Sequence, residues 1–222
     1  MMRRLGLAVL GIGALVVSFS GGEEIGFTVE SVNGVGHVSA GSSIRAIAAT
    51  LIIGLAYLVA LDPNADEAPG RPASTARRAV AWFFDFLLSL VAISAVVALL
   101  PLLSEALATG RFEWQFERDS IHAMDWVLSL VGIALMFAGM AYYWGLPPVR
   151  GGQTIGQAVL GLRVVSTTDQ PISRRKSLLR GLLQPFAPLL WLGRFFSSRR
   201  VYFHDDVAHV QVVTTRDAPR AA

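Results

Sequence analysis

The sequence predicts an all-α membrane protein with about four transmembrane helices, a small cytoplasmic β element, and an interfacial or re-entrant segment near the C-terminus. The first observation is composition: 53% of the 222 residues are hydrophobic and only 16% are charged, whereas a soluble domain carries roughly a quarter charged residues. The second is a set of long apolar segments. The third is the distribution of arginine among the loops, which sets their sides of the membrane.

Four apolar segments are candidates for transmembrane helices. Residues 79–100 and 126–146 each offer roughly the 20 residues that a helix needs to cross the hydrocarbon. Residues 5–19 and 46–61 are shorter and contain no charged residue. The segment 126–146 has Trp126 at one end and Tyr142, Tyr143 and Trp144 at the other, which is typical of helices whose aromatic residues lie at both membrane interfaces.

The first apolar segment has two interpretations. Arg3 and Arg4 precede it, and the small residues Ser18 and Ser20 follow its apolar core. A removed signal peptide and a short retained helix share this pattern. We prefer the retained helix and keep the signal peptide as the alternative.

Arginine predicts the orientation. Residues 20–43 contain no lysine or arginine, and residues 102–124 hold two arginines against four acidic residues, so we expect both loops outside. We expect the arginine-containing regions 3–4, 77–78 and 147–222 inside. Four spans with both termini cytoplasmic satisfy every loop.

The chain divides into four regions. Residues 1–61 are an N-terminal two-helix extension, and Asn33-Gly34 in its outer loop indicates a hairpin. There His37 is interpreted as a solvated strand residue. Residues 62–77, rich in proline, alanine and aspartate, are a flexible cytoplasmic linker. Residues 78–213 are the membrane domain, and residues 214–222 are a disordered tail.

The cytoplasmic region after residue 146 alternates in character. Thr154 can cap a short helix, and residues 162–168 and 209–213 are strand-like, so we predict that these two runs pair. Between them, the apolar residues 181–193 contain Pro185 and Pro188. At 1.5 Å per residue this stretch reaches only ~20 Å, short of a ~30 Å hydrocarbon core. We therefore expect an interfacial or re-entrant segment over residues 181–196, with a fifth span as the alternative.

Three motifs resemble the RDD family, small bacterial membrane proteins named for one arginine and two aspartates. The stretch RRAVAWFFD resembles the opening motif and matches its arginine to Arg78 and its first aspartate to Asp85. The stretch GGQTIGQAVLGLRVV is similar to the family's glycine-threonine-glycine turn, here Gly152, Thr154 and Gly156. The stretch RRVYFHDDVAHVQVV matches the closing histidine-aspartate pair to His204 and Asp205.

The resemblance covers about residues 77–213, with two departures. Gln157 stands where the family usually has lysine, and His209-Val210 replaces a glycine-threonine pair. The resemblance implies a multi-pass protein of the bacterial cytoplasmic (inner) membrane, and transport of ions or other solutes has been suggested for the family.

Asp85 is the one charged residue inside the apolar run 79–100. Burying it in a span costs ~2.5–3.5 kcal/mol near the centre, so it needs a donor. The possible charge partners are Arg180 and Arg194, and the capped turn at Thr154 is another candidate. Arg78 is expected to face lipid phosphates. Two interpretations follow: Asp85 is a structural clasp to a tail arginine, or it binds a cation or proton in a half-open cavity.

Other chemistry is disfavoured. His204 and His209 lie five residues apart, which a helix does not bring to one face, so we predict no metal, and Asp205 is expected to cap a turn or pair with Arg199 or Arg200. We also predict no cofactor, no enzymatic activity and no nucleic acid. The expected partners are the bilayer, anionic headgroups, and a protein or a second copy. The predicted function is an accessory, assembly or scaffold role with a cytoplasmic platform, with ion or solute transport through Asp85 as the alternative.

Overall fold

The computed structural model describes residues 2–20, 25–32, 35–61, 69–168, 170–190 and 202–215. Four long helices dominate it: α1 (Met2–Phe19), α2 (Ile44–Leu61), α3 (Thr75–Thr109) and α4 (Ala123–Arg150). All four are long and apolar enough to cross a membrane. The four predicted spans are thus confirmed as helices, and the fold is predominantly helical.

Shorter elements complete the fold. The strands are β1 (Gly26–Val32), β2 (Val35–Gly41), β3 (Pro69–Pro72), β4 (Gln115–Arg118), β5 (Leu162–Ser166) and β6 (Val210–Thr215). The short helices are α5 (Ile155–Val159), α6 (Arg174–Leu183), which continues into a 3-10 turn over Gln184–Phe186, and α7 (Phe203–Ala208).

Helices α3 and α4 are longer than the apolar runs that predicted them. At 1.5 Å per residue, the 35 residues of α3 reach about 50 Å. Ser74 starts α3 by accepting a hydrogen bond from the Arg77 amide, and Gly110 ends it with φ 74°. These caps lie outside the apolar core because capping depends on polar and glycine residues, not on hydropathy.

One end of the four-helix bundle, here the hairpin end, carries the sheet β1-β2-β4. Strands β1 and β2 pair antiparallel with Val32 opposite Val35, which confirms the predicted hairpin, although Asn33 and Gly34 lie outside the described residues. Strand β4, from the connection between α3 and α4, adds a third strand that the sequence did not predict. His37 in β2 is half-exposed, and its Nδ1 lies 2.8 Å from Asp119 Oδ1.

The other end, the platform end, carries the sheet β3-β6-β5. We call α5, α6, α7 and this sheet the platform. Strands β5 and β6 pair antiparallel with Val164 opposite Val212, as predicted. The predicted flexible linker 62–77 needs correction, because Pro69–Pro72 forms an edge strand on β6 and α3 begins at Thr75. Proline suits an edge strand since its missing N–H costs no ladder bond there.

Helix α6 runs back along the final turns of α4. The two helices cross closely at Gly145 and Gly181: a Cβ added to Gly181 would lie 2.3 Å from the Ala141 carbonyl oxygen. The Ser177 hydroxyl donates to the Gly145 carbonyl over 2.7 Å. Further along, the Phe186 ring stacks on Phe137. The described part of this segment therefore packs along α4 from the platform end, while residues 191–196 of the predicted interfacial or re-entrant segment lie outside the described residues.

The N-terminal extension shares its core with the rest of the bundle. Leu7 and Ala14 of α1 and Ile53 and Ala56 of α2 belong to one buried cluster with Leu88 of α3. Its helices also reach the platform: the Arg4 guanidinium donates to the Thr215 hydroxyl over 2.7 Å. The extension is thus packed into the bundle and is not a separate unit.

Candidate functional site with two buried carboxyl groups

Asp85 lies on α3 at the platform end, with 1% of its surface exposed. Its Oδ1 accepts hydrogen bonds from the Tyr143 hydroxyl at 2.6 Å and the Gly156 amide at 2.7 Å. Its Oδ2 accepts one from the Thr154 hydroxyl at 2.5 Å. We call these four residues the Asp85 cluster. It joins α3 to the last turns of α4 and to the turn before α5.

The turn before α5 has the shape that Asp85 needs. Thr154 caps α5, accepting from the Gln157 amide, while the Gln157 side chain accepts from the Thr154 amide. This is a capping box, and Gln157 completes it where the family usually has lysine. Gly156 must be glycine, because an added Cβ would lie 2.4 Å from the Ala81 carbonyl oxygen and 2.9 Å from the Asp85 carboxyl group.

The predicted turn residues therefore do not all contact Asp85. Thr154 and Gly156 do, whereas Gly152 packs against the end of α2, where an added Cβ would meet the Leu61 carbonyl oxygen at 2.4 Å. The backbone N–H of the next residue, Gln153, donates to the Ala60 carbonyl. Gly152 thus fixes the position of the turn from which Thr154 reaches Asp85.

The prediction of an arginine partner for Asp85 is wrong for Arg180. Its Nε donates to Asp205 over 2.8 Å, and the hydrogen bonds described for Asp85 come from neutral donors. The hydroxyl and amide groups satisfy the carboxyl oxygens without a cation, while Asp205 is closer to Arg180. The other predicted partner, Arg194, lies outside the described residues.

Asp205 lies in the first turn of α7 and is also 1% exposed. Arg78 of α3 pairs with its Oδ2, and Arg180 of α6 pairs with its Oδ1. We call Arg78, Arg180, His204 and Asp205 the Asp205 cluster. Burial raises the pKa of Asp205, but the Arg180 and Arg78 guanidinium groups outweigh burial and hold its pKa well below the usual range.

The expectation for Arg78 was wrong. Arg78 does not face lipid phosphates: it pairs with Asp205, and its guanidinium lies 4.0 Å from the centre of the Tyr202 ring. Asp205 takes Arg78 and Arg180 as partners, while Arg199 and Arg200 lie outside the described residues. The pairing gives the buried Asp205 carboxylate a counterion, without which its burial would be costly.

His204 is fully buried, with Nε2 3.6 Å from Asp205 Oδ1. Burial lowers the pKa of His204 to about 4, although Asp205 acts in the opposite direction. The imidazole is therefore neutral near pH 7. Among the described residues, no group of three or more histidine, aspartate or glutamate side chains is placed to hold a metal ion.

The two clusters meet at a small cavity of about 20 Å³, which is lined by Arg78, Ala81, Trp82, Asp85, Trp144, Gln157, Leu162, Arg180, Gln184, His204 and Val212. Sequence reasoning placed Tyr143 and Trp144 at a membrane interface and so missed their contact with the site. Tyr143 is nearly buried and stacks on Tyr57. The sequence could not show that the Tyr143 side chain points inward, because its neighbour Tyr142 in the same aromatic run is exposed.

Comparison with curated proteins gave no match, and comparison with solved structures gave none either. The RDD family profile matches residues 72–209. That range contains Arg78, Asp85 and Asp205, so the three residues of the suspected motif lie in matched sequence, while α1 and α2 lie outside it. The four apolar helices and this match indicate a membrane-embedded protein. Because the match covers more than half of the chain, the chain belongs to the RDD family.

Proposed function

We propose that this protein is an accessory or assembly protein of the bacterial inner membrane, without enzymatic activity. The observation that supports this best is that both buried carboxyl groups hold the platform to α3. Asp85 binds the turn before α5, and Arg78 binds Asp205 of α7. Two attachments at separate places make the platform a rigid surface, which suits a scaffold on which a partner protein or a second copy assembles.

Charge supports a cytoplasmic position for the platform. Its end of the bundle exposes the basic residues Arg71, Arg77, Arg150, Arg174, Arg175 and Lys176. The hairpin end exposes Arg45 and Arg111 but also Glu30, Glu113, Glu117 and Asp119. Positive loops remain cytoplasmic, so we propose that the platform and both termini lie inside.

Helix α6 supports contact with anionic headgroups. Its exposed Arg174, Arg175 and Lys176 precede Leu178 and Leu179, which are also exposed. A helix that offers basic residues at one end and apolar residues further along suits the boundary between headgroups and acyl chains.

Transport through Asp85 is the second candidate. Asp85 lines the small polar cavity. Tyr143, which donates to Asp85, lines a second cavity of about 540 Å³ between α2, α3 and α4. Asp85 thus lies between two cavities, an arrangement that a transporter can use if Tyr143 moves.

Reconstitution separates the two candidates. Purified protein in proteoliposomes is tested for Na⁺, K⁺ and H⁺ flux, with Asp85→Asn as the matched variant. We expect both proteins to equal empty liposomes. A flux that wild type supports and Asp85→Asn loses would replace the accessory role by transport.

The scaffold role is tested by affinity purification from native membranes and quantitative mass spectrometry. The control is a full-length variant in which Arg174, Arg175 and Lys176 become glutamine, which leaves both clusters intact. We expect a protein that co-purifies with wild type and is depleted with the variant. Equal recovery with both would contradict a platform that acts through its basic surface.

Orientation is tested with single cysteines, because the chain contains none. Ser31 and Ser120 at the hairpin end and Ser173 on the platform are exposed. An impermeant thiol reagent on intact spheroplasts is expected to label Ser31→Cys and Ser120→Cys but not Ser173→Cys. The opposite pattern would invert the proposed topology.

A further inference from the structure

The cavity between the Asp85 and Asp205 clusters is enclosed by side chains whose polar atoms lack partners. Three buried side-chain atoms have no hydrogen-bond partner: Arg180 Nη1, Trp144 Nε1 and Gln184 Oε1. Both ring nitrogens of His204 are unpaired as well. All four residues line the cavity and are less than a tenth exposed.

Such a concentration of unpaired atoms is unusual. Nearly all buried polar groups in folded proteins have a partner, in the protein or in ordered water. Among the described residues, the one other buried side-chain atom without a partner is the Ser42 hydroxyl at the hairpin end. Five of the six unpaired atoms therefore belong to residues around one cavity, which indicates that the cavity holds something polar.

The five unpaired atoms comprise three donors and two acceptors, of which one water molecule can serve two of each. Arg180 Nη1 and Trp144 Nε1 can only donate, Gln184 Oε1 can only accept, and a neutral imidazole offers one nitrogen of each kind. A water molecule accepts two hydrogen bonds and donates two. The cavity volume of about 20 Å³ compares with the roughly 10–15 Å³ and two to four polar partners that a single buried water needs.

We propose that this cavity binds one ordered water molecule, which accepts from Arg180 and Trp144 and donates to Gln184 and His204. The site goes beyond the proposed accessory function and does not depend on it. It adds a link between α4, α6 and α7 at the place where Asp85 of α3 also lines the wall.

Ions fit less well. An anion would gain from Arg180 but would lie against the Gln184 carbonyl oxygen and the Asp85 carboxyl group in the same wall. A cation would gain from those oxygens but would face the Arg180 and Arg78 guanidinium groups. Water serves both kinds of partner without adding a charge to a buried site.

The direct test is a crystal structure at a resolution that shows ordered water, from crystals grown in sodium chloride and in sodium bromide. We expect one density peak within hydrogen-bond distance of the Arg180, Trp144, Gln184 and His204 side chains, with no anomalous bromide signal. A bromide peak at this position would replace water by an anion. A site without density, or with these atoms paired to each other, would overturn the proposal.

A solution test uses thermal unfolding of the full-length protein in detergent. Trp144→Phe and Gln184→Met each remove one partner of the water. If both act through the same water, the loss in Tm for the double variant is smaller than the sum of the single losses. Additive losses would overturn the proposal. The matched control pairs Gln184→Met with Ser42→Ala, whose hydroxyl lies at the hairpin end, and these losses are expected to add.

A further measurement needs no variant. Wild-type Tm is compared in sodium chloride and in sodium gluconate at equal ionic strength. Water predicts equal values, whereas a higher Tm in chloride would favour an anion in the cavity and overturn the proposal.

Discussion

Asp85 and Asp205 are buried to the same extent, and residues of both clusters line one small cavity, yet the two carboxyl groups are held by different chemistry. The Asp85 oxygens accept from two hydroxyl groups and one backbone amide. The Asp205 oxygens pair with two guanidinium groups. A carboxyl group held by neutral donors depends on the shape of the turn that presents them, whereas one held by cations depends on charge balance.

This difference predicts different sensitivities. Removing the Asp205 charge leaves two guanidinium groups without their counterion. An uncompensated charge in the low-dielectric interior is costly. Removing one Asp85 bond leaves a neutral donor unpaired, which costs less. The Asp85 cluster is instead sensitive to backbone shape, because Gly156 leaves no room for a Cβ beside Asp85.

The largest effect is expected for Asp205→Asn. The substitution removes the charge shared by Arg78 and Arg180 and should lower the free energy of unfolding by about 3–5 kcal/mol. Thermal unfolding monitored by size-exclusion chromatography in detergent measures the loss. Asp206→Asn is the matched control, because Asp206 is the exposed neighbour on the same helix, and it should be nearly neutral.

The same prediction has a rescue. Replacing all three partners together, with Asp205→Leu, Arg78→Met and Arg180→Met, removes the charges and keeps apolar volume, so much of the stability should return. If the triple variant is as unstable as Asp205→Asn, unpaired charge is not the cause of the loss.

Asp85→Asn is expected to have the next largest effect, about 2–3 kcal/mol. Because Oδ1 accepts from both Tyr143 and Gly156, the new NH₂ would take the place of Oδ2 and face the Thr154 hydroxyl. That hydroxyl loses its acceptor, so at least one buried donor stays unpaired. Tyr143→Phe removes only one of the three donors and should cost about 1 kcal/mol. Both are measured by thermal unfolding.

A cross-test sharpens the comparison. Arg180→Met should not rescue Asp85→Asn, because Arg180 pairs with Asp205. Rescue would show that the two clusters share one charge balance. It would contradict the separation between a carboxyl group held by neutral donors and one held by cations.

The sequence predicts a contact in these clusters more readily when it depends on a local motif than when its partners are far apart along the chain. Hydropathy predicts the four helices because each is apolar over a continuous run. Thr154 could be named as a partner of Asp85 because the cap is a local motif on the expected side of the membrane. The pairing of Arg78 with Asp205 spans 127 positions, and many arginines in the region after residue 146 were equal candidates. Strands β3 and β4 are four residues long, too short for an alternating pattern.

Acidification should weaken the Asp205 cluster through His204. The folded pKa of His204 is about 4, against 6.5 for the free side chain. Below pH 6.5 the unfolded chain binds a proton that the folded protein does not, so stability is constant above 6.5 and falls as the pH drops toward 4. At pH 5 the loss is about 2 kcal/mol. Asp205, whose pKa is lowered, adds to the loss only near and below its ordinary value of 3.8.

The measurement is Tm between pH 7.5 and 5 for wild type and His204→Phe. The charged groups near His204 are Asp205 on α7, Arg180 on α6, and Arg78 and Asp85 on α3, and all four are retained in the variant. We expect a flatter pH profile for His204→Phe. Equal slopes would assign the pH dependence to a different group.

The smallest expected effect is a gain, from His209→Gly at the end of α7. His209 has φ 51° and is the one described residue other than glycine with positive φ. It caps the helix that carries Asp205, with its amide donating to Asp206, at the position where the RDD motif usually has glycine. A side chain in this conformation costs about 1 kcal/mol, and glycine removes that cost. We therefore expect a rise of about 1 kcal/mol in the free energy of unfolding, measured by thermal unfolding against His209→Ala, which keeps the Cβ and should bring no gain.

Because His209 belongs to the structure around Asp205 and makes none of the Asp85 contacts, the gain should be equal in wild type and in Asp85→Asn. A gain that disappears in Asp85→Asn would show that the two clusters stabilise the platform as one unit.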